Sequence, residues 1–486
     1  MRARREGRYD EYNGASNDGG GAMTGLVVGE VFANAARAVP DRPAVVLGER
    51  ALTFAELDAA AELGLRRLLA LGLAAGDRVG CGPISTGAGI AAVPLFAALA
   101  RLGAVLVPAD PEHPDAFAPA LVLATAEQAD ALIADLDDED PEDLPEPPDV
   151  EPAETDPCLI APAGRRGVLL SHRVLVLRSH PGALAESRGT HVLAADLADG
   201  RSWTLALAQW HARDTLVLVP GGDPTAVRAA VREHAATRLT ATPAVWRALA
   251  ETEAEQPAAD EVLDTLRYAD TEPTEAAVLA DIARIAPNAS VRVVHDTPET
   301  GPLTALTGPE AFAHPGACGI PGPLHYVALD PDGEMCVRGP LLFDGYADDP
   351  AATTEVLAEG WYRTGDLAVL DETSGVLTVT GRAAELIRVG TGTVGPGEVE
   401  RVLKAHPDVR DVAVIGLPHP TDGHVLGAVV VAEDPARVPG PGALRTACAE
   451  AGLAEHKRPV RVFYADELPS GAGRREDLAR EITAGR

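Results

Sequence analysis

Aromatic residues make up only 4% of this 486-residue chain. A core large enough for two or three domains must therefore be built from Ala, Val and Leu. Cysteine is scarce too. The five thiols, at positions 81, 158, 318, 336 and 448, form no CxxC pair and share no Cys/His ligand spacing. That pattern offers neither a metal signature nor a disulfide scaffold, and suits a reduced, cytoplasmic protein. Basic residues are outnumbered, 41 against 73 acidic, for a net charge of −32. Such a balance argues against nucleic acid held through its phosphate backbone. No uninterrupted apolar run is long enough to span a bilayer, so no membrane partner is expected. Residues 1–22 are polar and Gly-rich without an apolar signal core; they read as a disordered leader ahead of Met23. The 13 histidines are scattered, and no Ser-His-Asp or Cys-His arrangement emerges.

What the chain does contain is regular alternation. Thr53 with Glu56 three residues later reads as a capping box opening a helix whose apolar positions continue through Leu63, Leu65, Leu68 and Leu71. A second Ala-rich helix is expected over Ile90–Leu102, followed by the strand pattern Val105-Leu106-Val107. Strand patterns recur at His191–Ala195, Thr215–Val219 and Ser290–Val294, with helical stretches at 227–234, 244–251 and 274–285. Strands followed by helices of this length argue for parallel α/β sheets. Between Asp135 and Asp156 acidic residues alternate with prolines, which favours a solvated excursion. From Glu334 to Thr380 the pattern changes to short strands and turns. A compact unit then begins near Arg382–Glu385, with helices at 397–405 and 442–451 around strands at 409–415 and 426–431.

Certain motifs are far more specific. The run Gly333-Glu334-Met335-Cys336-Val337-Arg338-Gly339-Pro340 is followed in order by Gly345-Tyr346, Gly360-Trp361 and Tyr362-Arg363-Thr364-Gly365-Asp366-Leu367. Gly381-Arg382 and Pro396-Gly397-Glu398-Val399-Glu400 complete the set. It resembles the AMP-forming acid ligases, a superfamily of acyl-CoA synthetases, luciferases and nonribosomal-peptide adenylation domains, over roughly Leu26 to Leu478. The resemblance implies a large N-terminal domain (23–382) of α/β sheets with a β-rich subdomain. A small, mobile α+β C-terminal domain (385–486) would follow, joined at a hinge placed at Ala384 and Glu385. It also implies an activity. A small carboxylic acid would be activated with ATP and Mg²⁺ to an acyl-adenylate, expelling pyrophosphate and leaving AMP to depart in the next step. The acyl group would then pass to CoA or to the phosphopantetheine of a carrier protein.

That chemistry joins two anions, so it needs cations, N–H donors and a carboxylate for the ribose hydroxyls. By resemblance the ribose carboxylate is Asp366, and Arg382 is the second nucleotide contact. Glu299, in His295-Asp296-Thr297-Pro298-Glu299, matches the family's Mg²⁺-binding glutamate. His295 replaces a tyrosine that stacks on adenine, and Asp296 replaces a glycine, either as an added charge or as a solvated turn residue. Thr271 and Glu272 lie in the turn that approaches the adenine. The phosphate loop maps to Gly164, Arg165 and Arg166, about four residues short and without Ser or Thr. Its arginines either clamp phosphate or are merely solvated. Arg474 stands at the position of the C-terminal catalytic lysine. Gly390 and Gly392 mark the region where the thiol acceptor approaches. Asp199-Gly200-Arg201-Ser202-Trp203 faintly resembles the segment that places an Asp against a substrate amine. Pocket residues fall between Arg201 and Trp246, where either an aliphatic or a small aromatic cavity is expected. Two other readings accompany the ligase: a repurposed or catalytically impaired homologue that binds an acyl or nucleotide ligand or a protein, and an amino-acid adenylation protein.

Overall fold

Helix starts follow the capping chemistry of the sequence. The Thr53 N–H donates to the Glu56 carboxylate at 2.8 Å while the Thr53 hydroxyl accepts the Glu56 N–H, opening the helix Phe54–Ala70. Thr125 and Gln128 repeat the arrangement at Ala126–Ile133. The helix Ala92–Leu102 is apolar around its whole circumference except at Arg101, and it is correspondingly buried on all sides. The few aromatics are concentrated rather than spread. Phe32 lies 5.3 Å from Trp210 and Phe96 lies 4.8 Å from Trp203, ring centroid to centroid, so three helices meet at one rigid cluster.

The computed structural model describes residues 26–83, 89–108, 117–134, 143–147, 152–163, 166–180, 189–255, 263–389, 392–419, 423–469 and 474–484. The expected leader and most of the acidic excursion lie outside the described residues. So do Gly164, Arg165 and Gly390.

A large N-terminal domain holds three sheets. The widest has nine strands, and its six central ones run parallel: Ser290–Thr297, Tyr268–Thr271, Arg238–Thr240, Thr190–Leu193, Thr215–Leu218 and Pro43–Leu47. The parallel reading thus holds in the middle of this sheet. Hairpin returns, however, add antiparallel edges at Arg50–Thr53 and Gly301–Thr307. The second return carries the strand from Ser290 past its expected end at Val294 to Thr297, because Gly301–Thr307 folds back and supplies hydrogen-bond partners. A six-stranded sheet runs beside it, and a five-stranded one contains Trp361–Leu370 paired with Leu377–Arg382. The smaller C-terminal domain is a five-stranded sheet around the hairpin Val409–His419 and Gly423–Ala432, flanked by the helices Pro396–Lys404, Pro441–Glu450 and Arg474–Ala484. Among the described residues no helix is long and apolar enough to cross a membrane.

Buried histidines tie helices to this frame. His172 is fully buried, and its Nδ1 accepts the Val28 N–H at 3.2 Å, so the ring is neutral. Burial pushes its pKa down to about 4, and that of His191 to about 3. The unfolded chain takes up these protons near pH 6.5 while the folded chain refuses them, so stability falls as pH drops from about 6.5 toward 4. For His172 the loss integrates to roughly 3 kcal/mol. Asp296, raised to about 6, works in the opposite sense over part of that range. Replacing His172→Asn keeps an acceptor for Val28 but removes the titration. Thermal midpoints measured from pH 7 to 4 should then fall less steeply than in the parent chain; an unchanged slope would remove His172 from this account.

Candidate functional site

In the nine-stranded sheet the chain steps from Thr190–Leu193 to one side and then crosses to the other, so the winding direction reverses there. Ligands of such sheets bind outside the carboxyl ends of the strands near that reversal. The strand ends Thr240, Thr271 and His295-Asp296-Thr297 all emerge on this edge.

The turn after Thr297 is fixed from below. Arg178, fully buried in the helix His172–Ser179, donates to three backbone carbonyls: Leu341 and Pro298 at 2.8 Å and Glu299 at 2.9 Å. Gly301 (φ +65°) lets the chain pass over it, since a Cβ there would meet the guanidinium at 2.7 Å. The clamp leaves the Glu299 side chain free to point outward, where it accepts the Tyr346 hydroxyl at 3.2 Å. Arg166 lies over the Tyr346 ring, its guanidinium carbon 4.9 Å from the centroid. Burial and the Glu299 charge raise the pKa of both Tyr346 and Tyr362, so both phenols stay protonated.

Asp366 approaches from the neighbouring sheet. It sits opposite Arg382 in the antiparallel ladder, and Arg382 Nη1 reaches its Oδ1 at 2.9 Å. Gly365 takes φ +73° and donates its N–H to Glu334 at 3.0 Å, which turns the strand at this point. Burial raises the Asp366 carboxyl, with Glu299 and Glu334 adding to the effect and Arg382 opposing it. Arg382 is the larger of these charge effects but does not outweigh burial, its side chain being 61% exposed. His295 is held neutral by burial and by the charges of Arg201 and Arg382. Asp366, Arg382, Glu299, His295 and Arg166 therefore belong to one electrostatic neighbourhood. Among the described residues, His295 Nε2 and Thr271 Oγ1 are buried without a hydrogen-bond partner.

The inner wall corrects one expectation. Asp296 is no solvated turn residue: it ends a strand, is 9% exposed at its side chain and holds Arg201 Nε at 3.0 Å. Burial pushes its carboxyl up to about 6 despite Arg201. Arg201 also pairs with Glu272. The space between the helix Gly200–His211 and the 296–302 turn is about 30 Å³, lined by Arg178, Arg201, Arg292, Asp270 and Asp296 together with the apolar Leu205, Ala208, Val294 and Pro298. Beneath it Asp270 bridges two buried arginines, Arg238 at 3.0 Å and Arg292 at 3.1 Å, and accepts the Thr240 hydroxyl. Asp199, which resembled an amine-binding residue, caps the helix through the Ser202 N–H at 2.7 Å.

In the C-terminal domain, Ala384 and Glu385 lie in a single 3₁₀ turn, Ala383–Glu385. Arg474 opens the last helix, and Gly392 begins the strand Gly392–Val394. Arg475, beside Arg474, joins Glu385 at 2.5 Å and Glu400 at 2.8 Å. Sequence reasoning passed over Arg178 and the pairing of Arg201. The available signal was a single arginine in the otherwise apolar last turns of a helix, and another inside an apolar helix face.

A two-domain α/β protein with a carboxylate–guanidinium pair beside the strand ends is the class this fold and site define. The chain belongs to the AMP-binding enzyme family, whose model matches residues 32–164 and 163–347; the AMP-binding enzyme C-terminal domain matches residues 398–472. It is 31% identical to a feruloyl-CoA synthase from Amycolatopsis over 495 aligned positions, covering 90% of this chain and 95% of that protein. It is 36% identical to a long-chain-fatty-acid–CoA ligase from Escherichia coli O157:H7 over 181 positions, 35% of this chain and about a third (32%) of the ligase. In fold it matches a Mycobacterium tuberculosis fatty acyl CoA synthetase with a TM-score of 0.73 at 24% identity, over 94% of this chain and 99% of that one.

Removing the Arg178 clamp leaves three buried carbonyls without donors, each worth roughly 1–3 kcal/mol, while relieving the cost of burying a guanidinium. Arg178→Met should lower the unfolding free energy by about 3 kcal/mol in urea titration, and Arg178→Lys, without the planar fork, should recover less than half. A loss under about 1 kcal/mol would mean that the turn is held by something else.

Proposed function

We propose that the chain activates a small carboxylic acid with ATP and passes the acyl group to the thiol of CoA or of a carrier's phosphopantetheine. In the first step a carboxylate oxygen attacks the α-phosphorus and pyrophosphate leaves, giving the acyl-adenylate. In the second, the thiol sulfur attacks the acyl carbon, AMP leaves and the thiol proton is released. The observation that carries this reading is the buried Asp366 held by Arg382 beside the Glu299 turn. An ionised acceptor there takes the two ribose hydroxyls, and Arg382 orients it.

Other side chains take roles by position. His295 and Thr271 offer the unpartnered polar atoms of a base pocket, with Glu272, Asp296 and Thr297 forming its inner rim. Glu299 is a single carboxylate aimed at the phosphate side, which suits an ion held mainly by nucleotide oxygens. Mg²⁺ there would neutralise charge on the departing pyrophosphate. Arg166, steadied on Tyr346, is the cation of the described part of the phosphate-loop segment; Gly164 and Arg165 extend it. Arg474 is assigned the cation that meets the α-phosphate once the C-terminal domain reorients, and Gly390 and Gly392 the thiol's approach. The feruloyl-CoA synthase and the fatty-acid–CoA ligase, as named, support CoA as acceptor.

Calorimetry with ATP·Mg²⁺ and with AMP tests the reading. Asp366→Ala should weaken both about 10- to 100-fold, as for loss of a charged hydrogen bond, and pyrophosphate release should depend on added acid. A folded chain that binds neither nucleotide would sink the proposal.

A further inference from the structure

The cavity beside the candidate nucleotide site is closed from within by the chain's own charges. Its volume, about 30 Å³, admits a water or two, far less than an ordinary small-molecule pocket. Three arginines reach it. Arg178 is spent on carbonyls and Arg292 on Asp270. Arg201 is different. It enters from the helix Gly200–His211 and spans the cavity from the rim, where Glu272 is 41% exposed, to the interior, where Asp296 is 9% exposed. Its Nε is buried, lies 3.0 Å from Asp296 and makes no well-aligned hydrogen bond there. The contact is thus a charge pairing rather than a locked fork.

We infer that Arg201 is the specificity-determining residue of the acid cavity, and that the acid is a short dicarboxylate whose second carboxylate takes the place of Asp296 on Arg201. The inference rests on reading this cleft as acid-activating. Three observations support it. Any acyl group larger than a water or two enters only if Arg201 shifts, and shifting it without a new partner leaves the buried Asp296 carboxylate and the guanidinium unpaired. A second carboxylate from the ligand keeps Arg201 paired at every stage. Asp296, when displaced, is easier to protonate than an ordinary carboxylate, because burial, with Glu272 and Asp199 adding to it, raises its pKa to about 6 against the pull of Arg201 and Arg178.

Calorimetry on the full chain with malonate, succinate, butyrate and benzoate, each with and without saturating AMP, is the test. One of the two diacids should bind at least tenfold more tightly than butyrate and benzoate, and Arg201→Met should abolish that difference. Butyrate or benzoate binding as well as the diacids would overturn the inference. AMP binding with no diacid binding would overturn it while leaving the proposed function standing. Diacid binding that depends on Arg201, in a chain that binds no nucleotide, would support the acid site and sink the ligase reading. Binding of nothing would overturn both. If circular dichroism shows that Arg201→Met does not fold, Arg201→Lys reads the same contact: at least a threefold loss is expected, and no loss overturns the assignment.

Discussion

Much of the site's geometry depends on the buried guanidinium of Arg178. Its three donors hold carbonyls from two separate segments, the 297–301 turn and the loop before Phe343. The first presents Glu299 and the second leads into Tyr346, whose hydroxyl meets the Glu299 carboxylate. One cation thereby sets the spacing of two side chains 47 positions apart in sequence. Isolated charges are costly in a protein interior. Here carbonyl dipoles and the fields of Asp344, Glu299 and Asp296 offset part of that cost, yet burial still brings the pKa of Arg178 down to about 10.

The same economy of paired charge governs the floor of the cleft. Asp270 lies between Arg238 and Arg292, and their positive fields hold its carboxyl below its usual range in spite of burial. Where a glycine turn would allow close backbone approach, this chain uses side chains that neutralise one another. The result is an inner wall in which paired charges stand among apolar side chains, with little open volume. A cleft of this kind selects ligands by charge placement more than by size of apolar surface.

The fold was largely legible in the sequence because it rests on local rules. Thr53 with Glu56 announced a helix start, whereas the motifs around Asp366 and Arg382 carried a family resemblance without showing that strand register sets the two charges face to face. The Arg201 side of the cleft was not legible. Arg201 and Asp296 are 95 residues apart, and each alone reads as a helix residue and a polar turn. Only the packing of the helix Gly200–His211 against the end of the strand Ser290–Thr297 joins them. The same holds for Arg292, whose strand pattern gave no sign of its pairing with Asp270. Long-range charge pairs leave no periodic trace, so sequence patterns underdetermine a pocket lined with them.

The short link between the domains has a mechanical consequence. Arg382 is tethered to the large domain through Asp366, and Glu385 is tethered to the small one through Arg475, which also grips Glu400. Only Ala383 and Ala384 lie between these anchors. Their side chains are too small to form a tether, so any swivel of one domain on the other concentrates its torsion in the few bonds flanking two methyl groups. The helix Pro396–Lys404 nevertheless lies directly against Thr380, with no room for a Cβ at Gly397, so turning at this joint must first part that contact.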